Sequence, residues 1–348
     1  MVLLLWISNI LYATHYTKAS GHLQTPCNKV NVALLLPLSG PKASLGNHLM
    51  QAAQQALFDH PLTANLILYP IDTHKKTSVT EEIRSLNPAL IVGPVFSEET
   101  REIQSHTEGI PLFTLSNDPA LLNGSVFVMG ISPQEEANEL INFSLKKGLR
   151  RFVALLPKNA YGHSLEKPLK QIIKGENGAK LKIIFYTTTE EPSPHSIQEW
   201  VKEINAFFPQ AIFMPDGSPF TQNLLSTLKF NELHCHDVRL LGSSQWDSPH
   251  TFKDASLKGL WVTRNRSKRF RETLGASATP LDGIVYDTIA MMGEVHRDIK
   301  KNIFKWENFL HQKEFSGVHG QFILQPNGAV KRSWHIVEHM GQGARVIG

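Results

Sequence analysis

At 348 residues the chain exceeds the roughly 100–200 residues of one ordinary domain, so two compact bodies are expected. With 41% hydrophobic and 19% charged residues it is neither a disordered polymer nor a polytopic membrane protein. A net charge of +4 falls far short of the Lys/Arg loading of a dedicated nucleic-acid binder, so no nucleic-acid partner is expected.

The first element in chain order is the apolar run Val2 to Tyr12, interrupted only by Ser8 and Asn9. It is too short to span a bilayer and long enough for the core of a secretory signal, although no Lys or Arg precedes it. Residues 1–19 are therefore read as a signal peptide, with Thr17-Lys18-Ala19 at the cleavage site and the periplasm as destination. Cys27 follows Gln24, Thr25 and Pro26, a poor match to a lipoprotein signal, so export without a lipid anchor is expected. Cys27 and Cys235 are the only two cysteines and form no disulfide framework.

From Val30 onward strands alternate with helices. Val30 to Leu36 reads as a buried parallel strand, followed by a helix capped by Ser44 with Leu45, Leu49, Ala52, Ala53, Ala56 and Leu57 on one face. A strand at Leu66 to Ile71 and a helix opened by the box Ser78-Val79-Thr80-Glu81 come next. A strand at Ala89 to Val92, a helix from Ser97 to about Glu108, and strands at Pro111 to Leu115 and Val126 to Gly130 complete the first series. A second box, Ser132-Pro133-Gln134-Glu135, opens a helix to about Lys147, and the series restarts. "VALLLPLSG" at Val32 returns as "VALLPKNAYG" at Val153, which predicts a duplicated lobe rather than a solenoid. Strands at Arg151 to Leu156, Leu181 to Tyr186, Ala211 to Met214 and Val238 to Leu241 alternate with helices near 163–175, 195–207 and 219–230. The tail adds a strand at Leu257 to Thr263, a helical region from Asp282 to about His311, and a hairpin turning at Pro326-Asn327-Gly328. The pattern is α/β, with parallel sheets covered by helices on both faces.

The phrases "VALLLPLSGPKASLGNHLMQAAQQALFD", "LIVGPVFSEET", "PLFTLSNDP", "NAYGHSL", "LLGSSQWDSP", "GIVYDTIAMM" and "GVHGQFILQPNG" fall in one order and spacing. From about Val30 to its end the chain resembles type I periplasmic binding proteins of the leucine-binding class. Within that class it looks most like the alphaproteobacterial branch called penicillin-binding protein activators. The resemblance implies two Rossmann-like lobes joined by three crossovers, with lobe 1 at 30–126 plus 247–313 and lobe 2 at 127–246 plus 314–345.

Open α/β sheets bind ligands beyond the carboxyl ends of their strands, which directs attention to the residues just after each strand. Gly93 to Ser97 joins a strand to a helix, so Ser97 either caps that helix or helps it hold an anion such as a carboxylate. In the family this position contacts a ligand carboxylate. Ser116 and Asn117 match a loop contributing polar groups in relatives, and the same "SNDP" wording suits an Asx turn. Tyr161 matches an aromatic that covers bound ligand, its bland reading being a surface tyrosine. Asp216 and Asp247 follow strands and could neutralise an ammonium, although "QWD" departs from the wording of amino-acid receptors.

Other patterns carry less. "HCHD" at His234 to Asp237 lacks a second ligand cluster, and no metal or cofactor is expected. The basic stretch "RNRSKRFRE", Arg264 to Glu272, reads as a solvated helix face or else a contact for anionic lipid, a cell-wall polymer or a partner protein. No Gly-x-Gly-x-x-Gly, Walker loop, Gly-x-Ser-x-Gly or His-Glu-x-x-His occurs, so an enzyme is not expected. Two functions follow from the resemblance. The chain is a monomeric receptor that closes on a small polar, amino-acid-like ligand and serves an ABC permease; alternatively it is a penicillin-binding protein activator that regulates peptidoglycan synthesis with the same fold.

Overall fold

The computed structural model describes residues 29–107, 109–188, 190–233, 238–299 and 313–348. Its first half contains β1 (Val30–Leu36), α1 (Ala43–Asp59), β2 (Leu66–Asp72), α2 (Lys76–Leu86), β3 (Leu90–Val92), α3 (Ser97–Gln104), β4 (Leu112–Thr114) and β5 (Val126–Val128). The strands pair in the order β2-β1-β3-β4-β5, all parallel. The run of apolar residues in β1 is explained by burial on both faces. Val32, Leu34 and Leu36 pack toward α1, whereas Ala33 and Leu35 pack against Val79, Ile83 and Ile103 on the opposite side. Full burial of each large apolar side chain here contributes about 1.5–3 kcal/mol.

The second series runs α4 (Pro133–Lys146), β6 (Arg151–Pro157), α5 (Ala160–Lys174), β7 (Lys180–Tyr186), α6 (Pro194–Phe207), β8 (Ala211–Met214), α7 (Pro219–Phe230), β9 (Arg239–Gly242) and β10 (Trp261–Arg264). The chain then forms α8 (Phe270–Leu274), α9 (Pro280–Ile299), β11 (Glu314–Gly317), β12 (Gly320–Leu324), β13 (Val330–Arg332), β14 (His335–His339) and β15 (Ala344–Val346). The second sheet has the order β15-β14-β10-β9-β8-β6-β7. Its segment β7-β6-β8-β9-β10 repeats the parallel order of the first sheet, and antiparallel β14 and β15 extend the β10 edge. The repeated phrase therefore marks a repeated fold.

The tail departs from the expected division. The strand expected in lobe 1 near 257–263 is β10, which pairs with β9 and β14 in the second sheet. Conversely, β11, β12 and β13 form a separate antiparallel sheet whose Phe315, Phe322, Leu324 and Val330 enter the core of the first lobe. The sheets change hands near residues 129–132, 265 and 333, rather than at 247 and 314. The β10–β14 pairing joins residues more than seventy positions apart, as in Thr263 with Ile336, and local periodicity does not record it.

Two helix starts also differ. A 3-10 turn at Gly40–Lys42 begins α1 early, so Ser44 lies inside the helix. Ser78 lies inside α2, where its hydroxyl donates to the Lys75 carbonyl at 3.1 Å. Half of the box at Ser132 forms: its Oγ accepts from the Glu135 N–H at 3.2 Å, while the Glu135 carboxylate accepts from the Arg332 N–H. The expected helix to His311 is described to Ile299, and its remainder lies outside the described residues. Among the described residues, no helix is long and apolar enough to cross a membrane.

Candidate functional site

The residues singled out by sequence fall at the carboxyl ends of the two sheets, in two groups. Ser97 opens α3 as its first helical residue, Phe96 occupies the N-cap position, and no side-chain cap bond forms. The capping alternative for Ser97 is thus not what the local geometry uses. Glu98 and Glu99 in the first turn already complement the positive end of this helix, which weakens its attraction for a further anion. Ser116 is buried, and its Oγ accepts from the Asp118 N–H at 3.1 Å, so its hydroxyl shapes the turn; Asn117 beside it is exposed. The Ser97 and Ser116 loops are neighbours, because the Leu115 N–H donates to the Pro94 carbonyl at 2.9 Å.

In the second lobe, Tyr161 and Asp247 lie near a residue that sequence reasoning missed, Glu136, and Asp216 lies near Tyr161. Glu136 lies in the first turn of α4, is 4% exposed, and accepts from the Ser244 N–H and the Thr263 hydroxyl. It thereby ties α4 to the loop after β9 and to the end of β10. Burial pushes its carboxyl above the usual range despite those hydrogen bonds, and the nearby Asp247 adds to the shift. The two consecutive glutamates after the Ser132 box were the available sequence signal, but only the fold distinguishes which one turns inward. Tyr161, half-buried at the start of α5, has its phenol pKa raised by burial and by the charge of Glu136, while a hydrogen bond with Ser243 opposes the rise. A surface tyrosine is therefore not its setting.

The two aspartates are already engaged. Asp216 accepts from the Ser218 hydroxyl at 3.0 Å, the Thr221 hydroxyl at 2.8 Å and the Tyr186 hydroxyl at 3.2 Å, which fixes the turn into α7. Gly217 lets that turn press on the next loop, for a Cβ there would lie 2.6 Å from the Gln245 carbonyl carbon. Asp247 is 5% exposed and clamped by two arginines: Arg264 Nη2 lies 2.6 Å from Oδ1, and Arg266 Nη2 lies 2.6 Å from Oδ2. This corrects the expectation that Asp247 stands ready for a ligand ammonium, because its charge is already more than balanced. No cluster of His, Cys, Asp or Glu suited to a metal occurs among the described residues, and His234 to Asp237 lie outside them.

Two parallel sheets of one order, connected by crossovers and bearing polar loops at their carboxyl ends, make the type I periplasmic binding protein fold. The chain belongs to the family described as "LppC putative lipoprotein", matched over residues 15–205, more than half its length. It is 27% identical over 142 residues to the penicillin-binding protein activator LpoA of Photobacterium profundum, covering 39% of this chain and 23% of that protein. It is 25% identical over 181 residues to an uncharacterised protein of Rickettsia prowazekii, covering 51% of this chain and 47% of that protein. The chain thus spans less than half the length of these relatives. Among solved structures, the C-domain of LpoA from Haemophilus influenzae, a regulator of PBP1A, superposes with a TM-score of 0.69 at 16% identity, covering 91% of this chain and 100% of that one. An ABC transporter substrate-binding protein from Sphaerobacter thermophilus gives 0.71 at 17% identity, covering 92% and 96%. At such identities the likeness shows the fold alone. The family's description as lipoproteins runs against the expectation of an unanchored chain; Cys27 itself lies outside the described residues.

Proposed function

We propose that this protein is a non-enzymatic regulator of peptidoglycan synthesis, a penicillin-binding protein activator that works by contact with a synthase in the bacterial envelope. The reading draws on the sequence likeness to penicillin-binding protein activators. The observation that carries it is the state of Asp247, whose carboxylate is taken by Arg264 and Arg266 and so is not free for the ammonium of an amino-acid ligand. Asp216 is likewise committed to its own turn. A receptor for an ABC permease shares the fold and lacks this support.

The deciding experiment pairs two measurements on the purified chain. A thermal-shift panel of amino acids and small peptides is expected to give no stabilisation, whereas a micromolar ligand at a hundredfold excess over its Kd would contribute about 2.7 kcal/mol. Immobilised protein is expected to retain a penicillin-binding protein from detergent-solubilised envelope. An amino-acid hit abolished by Ser97→Ala, with no synthase retained, would establish the receptor instead. Envelope location has its own check: labelled palmitate incorporated at Cys27 and lost in Cys27→Ser supports the anchored form, and a soluble product starting near Ser20 supports unanchored export.

A further inference from the structure

The basic stretch from Arg264 to Arg271 does more than face solvent. It lines a groove of about 470 Å³ with Asp247, Pro249, Phe252, His335 and Val346. None of Ser97, Ser116, Tyr161 or Asp216 lines it, so the groove is distinct from the loops at the carboxyl ends of the first sheet and adjoins the Tyr161 cluster only through Asp247. Four cations, Arg264, Arg266, Lys268 and Arg271, line it together with the single carboxylate of Asp247, an excess of three positive charges. Asp247 orients the two arginines through their Nε and Nη2 atoms, which leaves the Nη1 edge of each outside that pairing. Each guanidinium also rests on a ring, Arg264 at 5.3 Å from the centroid of Phe252 and Arg266 at 5.2 Å from that of Phe270. The Oγ of Ser267, in the same lining, is buried without a hydrogen-bond partner among the described residues. Pro249 and Val346 add apolar wall, Ser248 and His335 polar wall, and the volume suits a small molecule.

We propose that this groove binds an organic anion, its carboxylate or phosphate on the Arg264–Arg266 pair and its apolar body against Pro249, Phe252 and Val346. Preoriented guanidiniums favour planar or tetrahedral oxyanions because the fork of donors is fixed before binding. The lining spans a crossover: Arg264 ends β10 of the second sheet, whereas Phe270 packs in the core of the first lobe. An occupant would therefore touch both lobes. The proposal goes beyond the regulatory reading and stands whether or not a synthase is bound.

Phenyl phosphate and benzoate are the probes, with benzyl alcohol and inorganic phosphate as controls, titrated by calorimetry or ligand-observed NMR into the full chain. Saturable binding of at least one aromatic anion is expected, and comparison of the two identifies the preferred headgroup. Arg266→Gln and, separately, Lys268→Glu on the exposed rim should each weaken it about tenfold or more, the scale of a lost bond to a charged group. Lys170→Ala, exposed on α5, should change nothing. Lys268→Glu keeps the test valid if Arg266→Gln fails to fold. Absence of binding by both anions overturns the proposal. So does equal binding of benzyl alcohol or of inorganic phosphate, or unchanged affinity in Lys268→Glu.

Discussion

A carboxylate held by two guanidiniums is a structural group before it is anything else, and Asp247 illustrates how one contact redirects a functional reading. Its side chain is 3% exposed, against 28% for Arg264 and 14% for Arg266, so the pair of ion bridges lies largely out of water. Removing one member of such a set leaves uncompensated charge in a poorly solvated site, which is costlier than the net value of the bridge. Asp247→Asn is therefore expected to lower folding stability by about 3 kcal/mol, read by urea denaturation at neutral pH. A receptor acid facing an empty cleft would behave differently, since its loss would spare the fold and weaken only ligand. A change below about 0.5 kcal/mol would show the arginines to be adequately solvated without it. The sequence "QWD" placed this aspartate after a strand; its partners lie 17 and 19 residues on, at and just beyond the end of a further strand, and no local pattern announces them.

At the scale of elements, caps separate what was legible from what was not. Ser132 accepts from the N–H of the third helical residue, Glu135, so Ser132→Ala should cost about 1 kcal/mol, whereas Ser78→Ala, inside α2, should stay within about 0.5 kcal/mol. Chemical denaturation of the two variants side by side checks this, and an equal loss in both would mean that Ser78 also holds its helix start. Both serines stand three residues before a glutamate, so the box alone could not tell them apart; what differs is that Pro133 fixes the first helical residue after Ser132, while the turn after Asp72 lets α2 begin upstream of Ser78. The repeated phrase was legible as a repeat, and its physical reason is a close approach. A Cβ on Gly162 would lie 1.9 Å from the Pro157 carbonyl oxygen, and one on Gly46 would lie 2.1 Å from that of Pro37. The structural counterpart of Gly162 is thus Gly46 rather than the Gly40 with which the quoted phrase ends, because the 3-10 turn at Gly40–Lys42 lengthens the first connection. Strand and helix types followed from periodicity, while β10 and β14 found their sheet through pairing across the whole tail.

For the whole molecule, the crossovers converge on buried charge. Arg332, 5% exposed at the end of β13, donates to the Met129 carbonyl beyond β5 and, through its N–H, to Glu135 of α4 at 3.0 Å. Near it Asp287 of α9 accepts from the N–H groups of Val318 at 2.7 Å and His319 at 2.8 Å, holding the small sheet against the first lobe. Burial pushes the Asp287 carboxyl up to about 7, against the pull of those two N–H groups and of Arg332. Burial of Glu135 raises its carboxyl as well, whereas burial and the charges of Arg332 and Arg266 keep the His319 imidazole well below its usual value. A carboxyl that binds its proton more tightly folded than unfolded contributes stability fully below pH about 4, and that contribution disappears as pH rises through about 7. His319 acts in the opposite sense, since the unfolded chain takes up its proton first, so its effect on stability grows as pH rises toward 6.5. The two trends oppose each other below neutrality and only that of Asp287 continues above it. Asp287→Asn removes one and leaves the other, whatever constant cost the amide imposes at the two N–H donors. The stability of the native chain relative to the variant is therefore expected to fall between pH 5 and pH 8 in urea titrations. A difference that stays level across that range would mean that Asp287 is ionised throughout, with Arg332 supplying enough charge to outweigh its burial.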